Sequence, residues 1–226
     1  MTDPVKARLQ RGETIVAVNL AGDNPDLLEP LQRFGADLAF IDCERTGIGL
    51  DGAAGLIRAA RACGLPSLVR SPSDDPATLV QFLDRKAGGL VVPHVDTPEQ
   101  AAAVVDLTRY ACGDDAANRL VVVQVETRRA VACIDALAQV AGIDAFLIGP
   151  NDLAYDMTGR RGARTAETEQ ALDHVCARLA AAGRRFGMPS RLDELPTFRR
   201  RGCTLLYYPV EWLLERALGE LKAALR

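Results

Sequence analysis

Short runs of Val, Ile, Leu, Ala and Phe recur along the chain. Each gives way to a stretch in which apolar residues return every three or four positions. The runs cover residues 14–20, 37–42, 66–70, 89–93, 119–126, 144–149, 185–189 and 203–208. Their density in apolar side chains predicts strands buried on both faces, as in a parallel sheet. The stretches between them read as amphipathic helices. In DGAAGLIRAARACG, Leu56, Ile57, Ala60 and Cys63 fall at helical spacing, and Gly64 follows as a C-terminal cap. Thr97-Pro98-Glu99-Gln100 has the form of an N-cap, a first-turn proline and then polar residues, and Asp74-Asp75-Pro76 opens a helix in the same way.

Eight strand signals, each followed by a helix signal, predict a parallel α/β fold. An open doubly wound sheet and a closed barrel share that alternation. The count of eight favours a (β/α)8 TIM barrel, although 226 residues is below the ~250 typical of that fold. No linker or low-complexity segment divides the chain, so one barrel domain is expected over residues 1–226.

Composition narrows the chemistry. The net charge is −3, which excludes a generic polyanion binder, so no nucleic-acid partner is expected. No apolar stretch approaches the ~20 residues of a membrane helix, and the polar, acid-bearing start is not a signal peptide. The six cysteines, Cys43, Cys63, Cys112, Cys133, Cys176 and Cys203, have no paired spacing. Reduced thiols and a cytoplasmic location are the expectation. Of 27 basic residues only three are lysine, Lys6, Lys86 and Lys222, and none falls on a strand end. A Schiff-base route to carbon–carbon bond chemistry needs a lysine near the reacting carbonyl. A metal would then have to stabilise the enolate instead.

In a barrel the functional groups gather at the C-terminal ends of the strands. Those ends carry Asn19; Asp42, Glu44 and Arg45; Arg70; Pro93 and His94; Gln124 and Glu126; Gly149-Pro150-Asn151-Asp152; and Tyr207, Tyr208 and Pro209. Glu126 and Asp152 suit a Mg2+-like ion that takes one or two carboxylates, or they are solvated loop acids. Arg70 suits a carboxylate clamp or an enolate oxygen, or a structural ion pair. The GPND segment offers backbone N–H groups at a helix N-terminus. His174 reads as a surface or packing residue, and His94 as a turn residue near the site.

These strand ends together resemble the HpcH/HpaI aldolase family, metal-dependent pyruvate-type aldolases such as 4-hydroxy-2-oxoheptanedioate aldolase. The likeness rests on five motifs in order: IDCERTG from Ile41, LVRSPSDDP around Arg70, GGLVVPHVDTPEQA, Gln124-Val125-Glu126, and Gly149 through Leu153. The resemblance implies that Glu126 and Asp152 bind a divalent metal, Mg2+, Mn2+ or Co2+. It implies a small 2-oxo acid as substrate, with an aldehyde as a further partner, and a metal-bound pyruvate enolate. Arg70 would hold the keto oxygen, amides near Asn151 and Asp152 would receive the carboxylate, and Gln124 would support the site. A homo-oligomer, trimer or hexamer, is also implied.

Two departures stand out. The family's strand-two motif places a histidine where this chain has Arg45. That histidine pairs with an acid matching Asp84 to move a proton. Asp42 and Asp84 match, but arginine cannot carry a proton, because its pKa stays above ~12. Asp42, Arg45 and Asp84 thus form an altered corner, in which Arg45 is available for a further carboxylate or phosphate. The chain is also short between Tyr110 and Arg119, where the family's extra segment helps cover the mouth, so the likeness implies a more open site or a different substrate. Three readings follow: an aldolase-type lyase; an oxaloacetate-type decarboxylase or citrate-like condensing enzyme on the same scaffold; or a silent 2-oxo-acid binder.

Overall fold

In a computed structural model describing residues 4–226, eight strands close into a barrel: β1 (Ile15–Asn19), β2 (Leu38–Asp42), β3 (Ser67–Arg70), β4 (Gly89–Val92), β5 (Leu120–Val125), β6 (Ala145–Ile148), β7 (Phe186–Pro189) and β8 (Leu205–Pro209). Neighbours in sequence pair in parallel, and β1 also pairs with β8. Helices separate consecutive strands, so the fold is a (β/α)8 TIM barrel. Each predicted strand lies within two residues of an observed one.

Side chains on a strand alternate between the two faces, and here the alternation sorts the molecule. Ile15 and Ala17, Leu38 and Phe40, Leu68, Val91, Leu120 and Val122, Ala145 and Leu147, and Leu205 form one buried cluster inside the barrel. The intervening residues, among them Val18, Ile41, Val69, Val92, Val123, Phe146 and Leu206, join the larger core beneath the helices. The first helix, Val5–Gln10, buries Val5 and Leu9 against the inner cluster and plugs the end where the strands begin. Continuing the inner rows by two residues reaches Asn19, Asp42, Arg70, Gln124 and Tyr207. The same period thus fills the barrel with hydrocarbon below and polar groups above.

The expected caps form. Thr97 accepts from the Gln100 backbone N–H while the Gln100 side chain accepts from Thr97 N–H at 3.1 Å. Asp75 caps the helix Pro76–Asp84 by accepting from Thr78 N–H at 2.8 Å. Gly64 follows the helix Leu50–Ala62 with φ +76°, a conformation open to glycine at little cost.

Two expectations are corrected by chain direction. A helix joining two parallel strands runs back to the end where they start. Asp84, the exposed last residue of Pro76–Asp84, therefore lies opposite the mouth and does not meet Asp42 or Arg45 within one chain. The short connection between Tyr110 and Arg119 follows the helix Pro98–Cys112 and lies at that same far end, where Asp115 and Arg119 line a cleft with Val5 and Lys6. Its shortness does not open the mouth of this chain.

The lysines are likewise away from the mouth. Lys6 pairs with Asp144 at 3.0 Å at the far end, Lys86 lines the cleft there, and Lys222 is on the last helix, Val210–Ala224. No described helix is long and apolar enough to cross a membrane. All six cysteines are free thiols, with Cys43, Cys176 and Cys203 buried. Burial, with Asp42 adding to it, pushes the Cys43 thiol up to about 12, so it holds its proton at neutral pH. Iodoacetamide at pH 8 should label Cys63, Cys112 and Cys133 and spare the three buried thiols until denaturant is added. Peptide mass mapping before and after unfolding checks this.

Candidate active site

The register that closes the barrel sets Asp42 beside Arg70. The two side chains form a two-point pair: Arg70 Nε donates to Asp42 Oδ1 at 2.9 Å and Arg70 Nη2 to Oδ2 at 2.6 Å. Arg70 Nη1 lies 3.0 Å from Glu44 Oε2 in an ion pair. Burial works against the charge on Arg70, but Asp42 and Glu44 outweigh it and hold the guanidinium above its usual range. Of its five N–H donors, these contacts leave one on Nη1 and one on Nη2.

Asp42 is an organiser of this corner. Its Oδ1 also accepts from the backbone N–H groups of Glu44 and Arg45, both at 3.1 Å, and its Oδ2 from Asn19 Nδ2 at 3.4 Å. Asn19 Nδ2 donates in turn to the Tyr207 hydroxyl at 2.5 Å. Thr46 Oγ1 donates to the Asp42 carbonyl. A buried carboxylate surrounded by so many donors holds the turn after β2 and fixes Arg70. It has no geometry for carrying protons with Asp84.

A second group surrounds Glu126, which is 2% exposed. Its Oε1 accepts from His94 N–H at 2.9 Å and lies 3.2 Å from His94 Nδ1. Its Oε2 accepts from Gln124 Nε2 at 2.5 Å. His94 takes φ +56°, uncommon for a side-chain-bearing residue, and this turn points its amide at Glu126. Burial raises the Glu126 pKa above the usual carboxylate range, and the charges of Glu44 and Asp152 add to it, while His94 opposes them. Gln124 Oε1 is buried without a partner. A Cβ on Gly149 would meet Glu126 Cβ and Oε2 at 3.1 Å, so a glycine lets the turn into the next helix pass close to the carboxylate.

That helix, Pro150–Thr158, carries Asp152 in its first turn. Pro150 has no N–H to satisfy, while Asn151 and Asp152 present theirs at the helix start. Asp152 Oδ1 accepts from Arg45 Nη2 at 2.8 Å, and Arg161 Nε lies 3.5 Å away. Arg45 thus reaches across from the turn after β2 to the carboxylate expected to hold metal. Arg70, Gln124, Gly149, Asn151, Asp152 and Tyr207 line one cleft of about 350 Å3 at the mouth. The structure brings Asp42, Arg45, Arg70, Gln124, Glu126, Asn151 and Asp152 to this end and leaves Asp84 at the other.

Several features were not singled out beforehand. Arg161, Arg164 and Arg191 also line the cleft. The arginine density of GRRGAR was a local signal, but nothing local said where that loop folds. His174 is exposed on the helix Ala166–Ala181, away from this chemistry.

The donor set suits a hard divalent ion. Glu126 is a buried carboxylate whose charge other carboxylates oppose, and Gln124 leaves an unpaired oxygen nearby. Among the described residues no group of three or more His, Cys, Asp or Glu side chains could hold a metal. A pair completed by water and substrate oxygens fits Mg2+-type coordination better than a zinc site with three or four protein ligands.

A family model described as HpcH/HpaI aldolase/citrate lyase matches residues 16–205. The chain belongs to the HpcH/HpaI aldolase/citrate lyase family. A 4-hydroxy-2-oxovalerate aldolase of Novosphingobium aromaticivorans is 34% identical, over 84% of this chain and 81% of its own length. A hydroxypyruvate/pyruvate aldolase of Roseovarius nubinhibens is 29% identical, over 88% and 86%. A crystal structure of an HpcH/HpaI aldolase/citrate lyase family protein from Burkholderia cenocepacia J2315 superposes with a TM-score of 0.89 at 28% identity, covering both chains completely.

Asp42→Ala should lower the stability of the fold by about 3 kcal/mol, because it strands the buried Arg70 charge. Asp42→Ala combined with Arg70→Ala should cost less than the two single losses added together. Urea unfolding of the three variants measures the coupling, and additive losses would show that the pair does not hold this corner.

Proposed function

We propose that the chain is a divalent-metal-dependent carbon–carbon lyase of the aldolase type, acting on a small 2-oxo acid. The observation that carries this reading is the shared cleft. It sets the Arg70 guanidinium, the Gln124 amide and the start of the helix Pro150–Thr158 around one volume suited to a small molecule. Glu126 and Asp152 would hold the ion, which supplies a Lewis acid for the keto oxygen.

The protein's own groups account for the remaining tasks. Amides of Asn151 and Asp152 receive the substrate carboxylate. The two N–H donors left on Arg70 face the charge that develops on the keto oxygen when the carbon–carbon bond breaks. Asp42 and Glu44 keep Arg70 fixed, so little reorganisation accompanies that charge. Gln124 holds Glu126 in place. Arg45 takes no part as a base, since it stays protonated. Of the two histidines, His94 is at the mouth. Its side chain is 58% exposed and it touches Glu126, which makes it the candidate to take the proton from the substrate hydroxyl as that carbon becomes the carbonyl of the leaving aldehyde.

A second reading, decarboxylation of an oxaloacetate-type acid, is favoured by Arg45. That reaction needs the same stabilised enolate but no proton taken from an alcohol. The homo-oligomer implied by the family likeness is supported by the last helix and its C-cap, where Leu214, Leu218, Leu221 and Leu225 are more than half exposed.

The test uses Mg2+ or Mn2+ with a 4-hydroxy-2-oxo acid, and oxaloacetate in parallel, following pyruvate release. The expected outcome is metal-dependent pyruvate release that chelation abolishes and that Glu126→Ala reduces about 100-fold or more. His94→Ala should impair cleavage of the hydroxy acid more than decarboxylation. Turnover of oxaloacetate alone would select the second reading. Failure to bind either ion in a calorimetric titration would overturn both.

A further inference from the structure

Tyr207 stands on the inner row of β8, where that row reaches the mouth. Its ring meets Phe40 edge-on, with ring centres 4.8 Å apart. Arg70 lies over the same Phe40 ring, its guanidinium carbon 5.7 Å from the centre. Tyr207 and Arg70 both line the cleft that holds Gln124 and the start of the helix Pro150–Thr158. A tyrosine at the edge of an apolar core ordinarily packs its ring and finds one partner for its hydroxyl. Tyr207 differs in which half of the hydrogen bond it supplies.

Asn19 decides this. Its Oδ1 accepts from Ala21 N–H at 2.9 Å, which turns its amide nitrogen toward Asp42 and Tyr207. Asn19 Nδ2 therefore donates to the Tyr207 hydroxyl at 2.5 Å, and the tyrosine oxygen accepts. A hydroxyl has one proton of its own to donate, and among the described residues no group accepts it. Burial raises the pKa of this hydroxyl above its usual range, and Asp42 and Glu211 add to it, while the Asn19 hydrogen bond and the Arg70 charge oppose them. The phenol thus keeps its proton at neutral pH. Asn19 and Arg70 are also the groups that would steady a phenolate after the proton leaves.

Breaking the carbon–carbon bond leaves a pyruvate enolate, whose terminal carbon must gain a proton to become the methyl group. The substrate hydroxyl proton goes to His94, so this is a separate transfer. We propose that Tyr207 is the acid that makes it. The electron pair of the enolate double bond takes the Tyr207 hydroxyl proton. A C–H bond forms at the terminal carbon, the enolate oxygen becomes the keto oxygen, and the phenolate beside Asn19 and Arg70 regains a proton from water. Asn19 acts through Tyr207 as a positioning residue. The inference rests on the lyase reading above and holds for both of its forms, because decarboxylation yields the same enolate.

The test runs the transfer backwards. Pyruvate is held with the protein and Mg2+ in D2O, and loss of its methyl proton signal is followed by NMR above the protein-free rate. Tyr207→Phe keeps the ring on Phe40 and removes only the hydroxyl; thermal melting checks that it folds. Exchange should slow about 100-fold or more in this variant, while pyruvate affinity by calorimetry changes less than about threefold. Oxalate places an oxygen where the enolate has its terminal carbon, so its affinity should fall by about tenfold or more, the scale of one hydrogen bond to a charged group. Exchange at the unmodified rate in Tyr207→Phe would overturn the proposal. So would equal weakening of oxalate and pyruvate, or an unmodified protein that releases pyruvate yet exchanges no methyl proton. If the unmodified protein neither releases pyruvate nor exchanges it, the lyase reading fails separately, and the oxalate titration alone decides on Tyr207. A loss confined to oxalate supports the donor, and an unchanged oxalate affinity overturns it.

Discussion

The two-residue alternation of a strand, applied eight times around a closed parallel barrel, is the constraint on which everything else here depends. It leaves each strand one inward row. Those rows are apolar where the first helix plugs the barrel and polar where the strands end. Phe40 and Asp42 are two residues apart on one row, as are Leu68 and Arg70, Val122 and Gln124, and Leu205 and Tyr207. A slip of one residue in β2, β3, β5 or β8 would turn its polar residue toward the helix layer and away from its partners. The fold and the site are therefore consequences of one register.

Within that frame the polar groups form a hierarchy. Asp42 gathers five donors and fixes Arg70 and the turn after β2. Glu126 is steadied from either side by the amide of a strained turn and by Gln124. The helix start at Pro150 faces both groups across the mouth. Such mutual support is what keeps charges in a largely dry interior. It also separates roles that residue identity alone would blur: Asp42 positions Arg70, Arg70 and the helix start line the cleft, and Asp152, proposed as a metal ligand, is already paired with Arg45.

Arg45, at the position where the family likeness implies a histidine, gains its meaning from that pairing. By type, arginine cannot serve as the proton carrier that the likeness implies there. In three dimensions Arg45 lies on Asp152, bringing a permanent positive charge to the carboxylate proposed as a metal ligand. Its unfitness as a base and the charge it places on Asp152 are separate properties of one residue, and only the first can be read from its type.

Much was legible in the chain. The eight strands, their buried character, the caps at Thr97 and Asp75, and the polar residues that close each apolar run follow from local rules of period and turn chemistry. Those rules act over a few residues, so a linear pattern records them. What they omit is which distant segments meet. Asp84 matched a family position yet lies at the far end of the barrel, because a helix between parallel strands must return to their origin. The shortened connection near Asp115 shares that end for the same reason. Arg161, Arg164 and Arg191 sit on two loops that only the folded barrel brings to one cleft. The sequence determined which side chains each strand turns inward and where along the strand polarity begins. Tertiary structure decided which loops share the mouth, because barrel closure brings together residues more than a hundred positions apart, and no local pattern encodes that meeting.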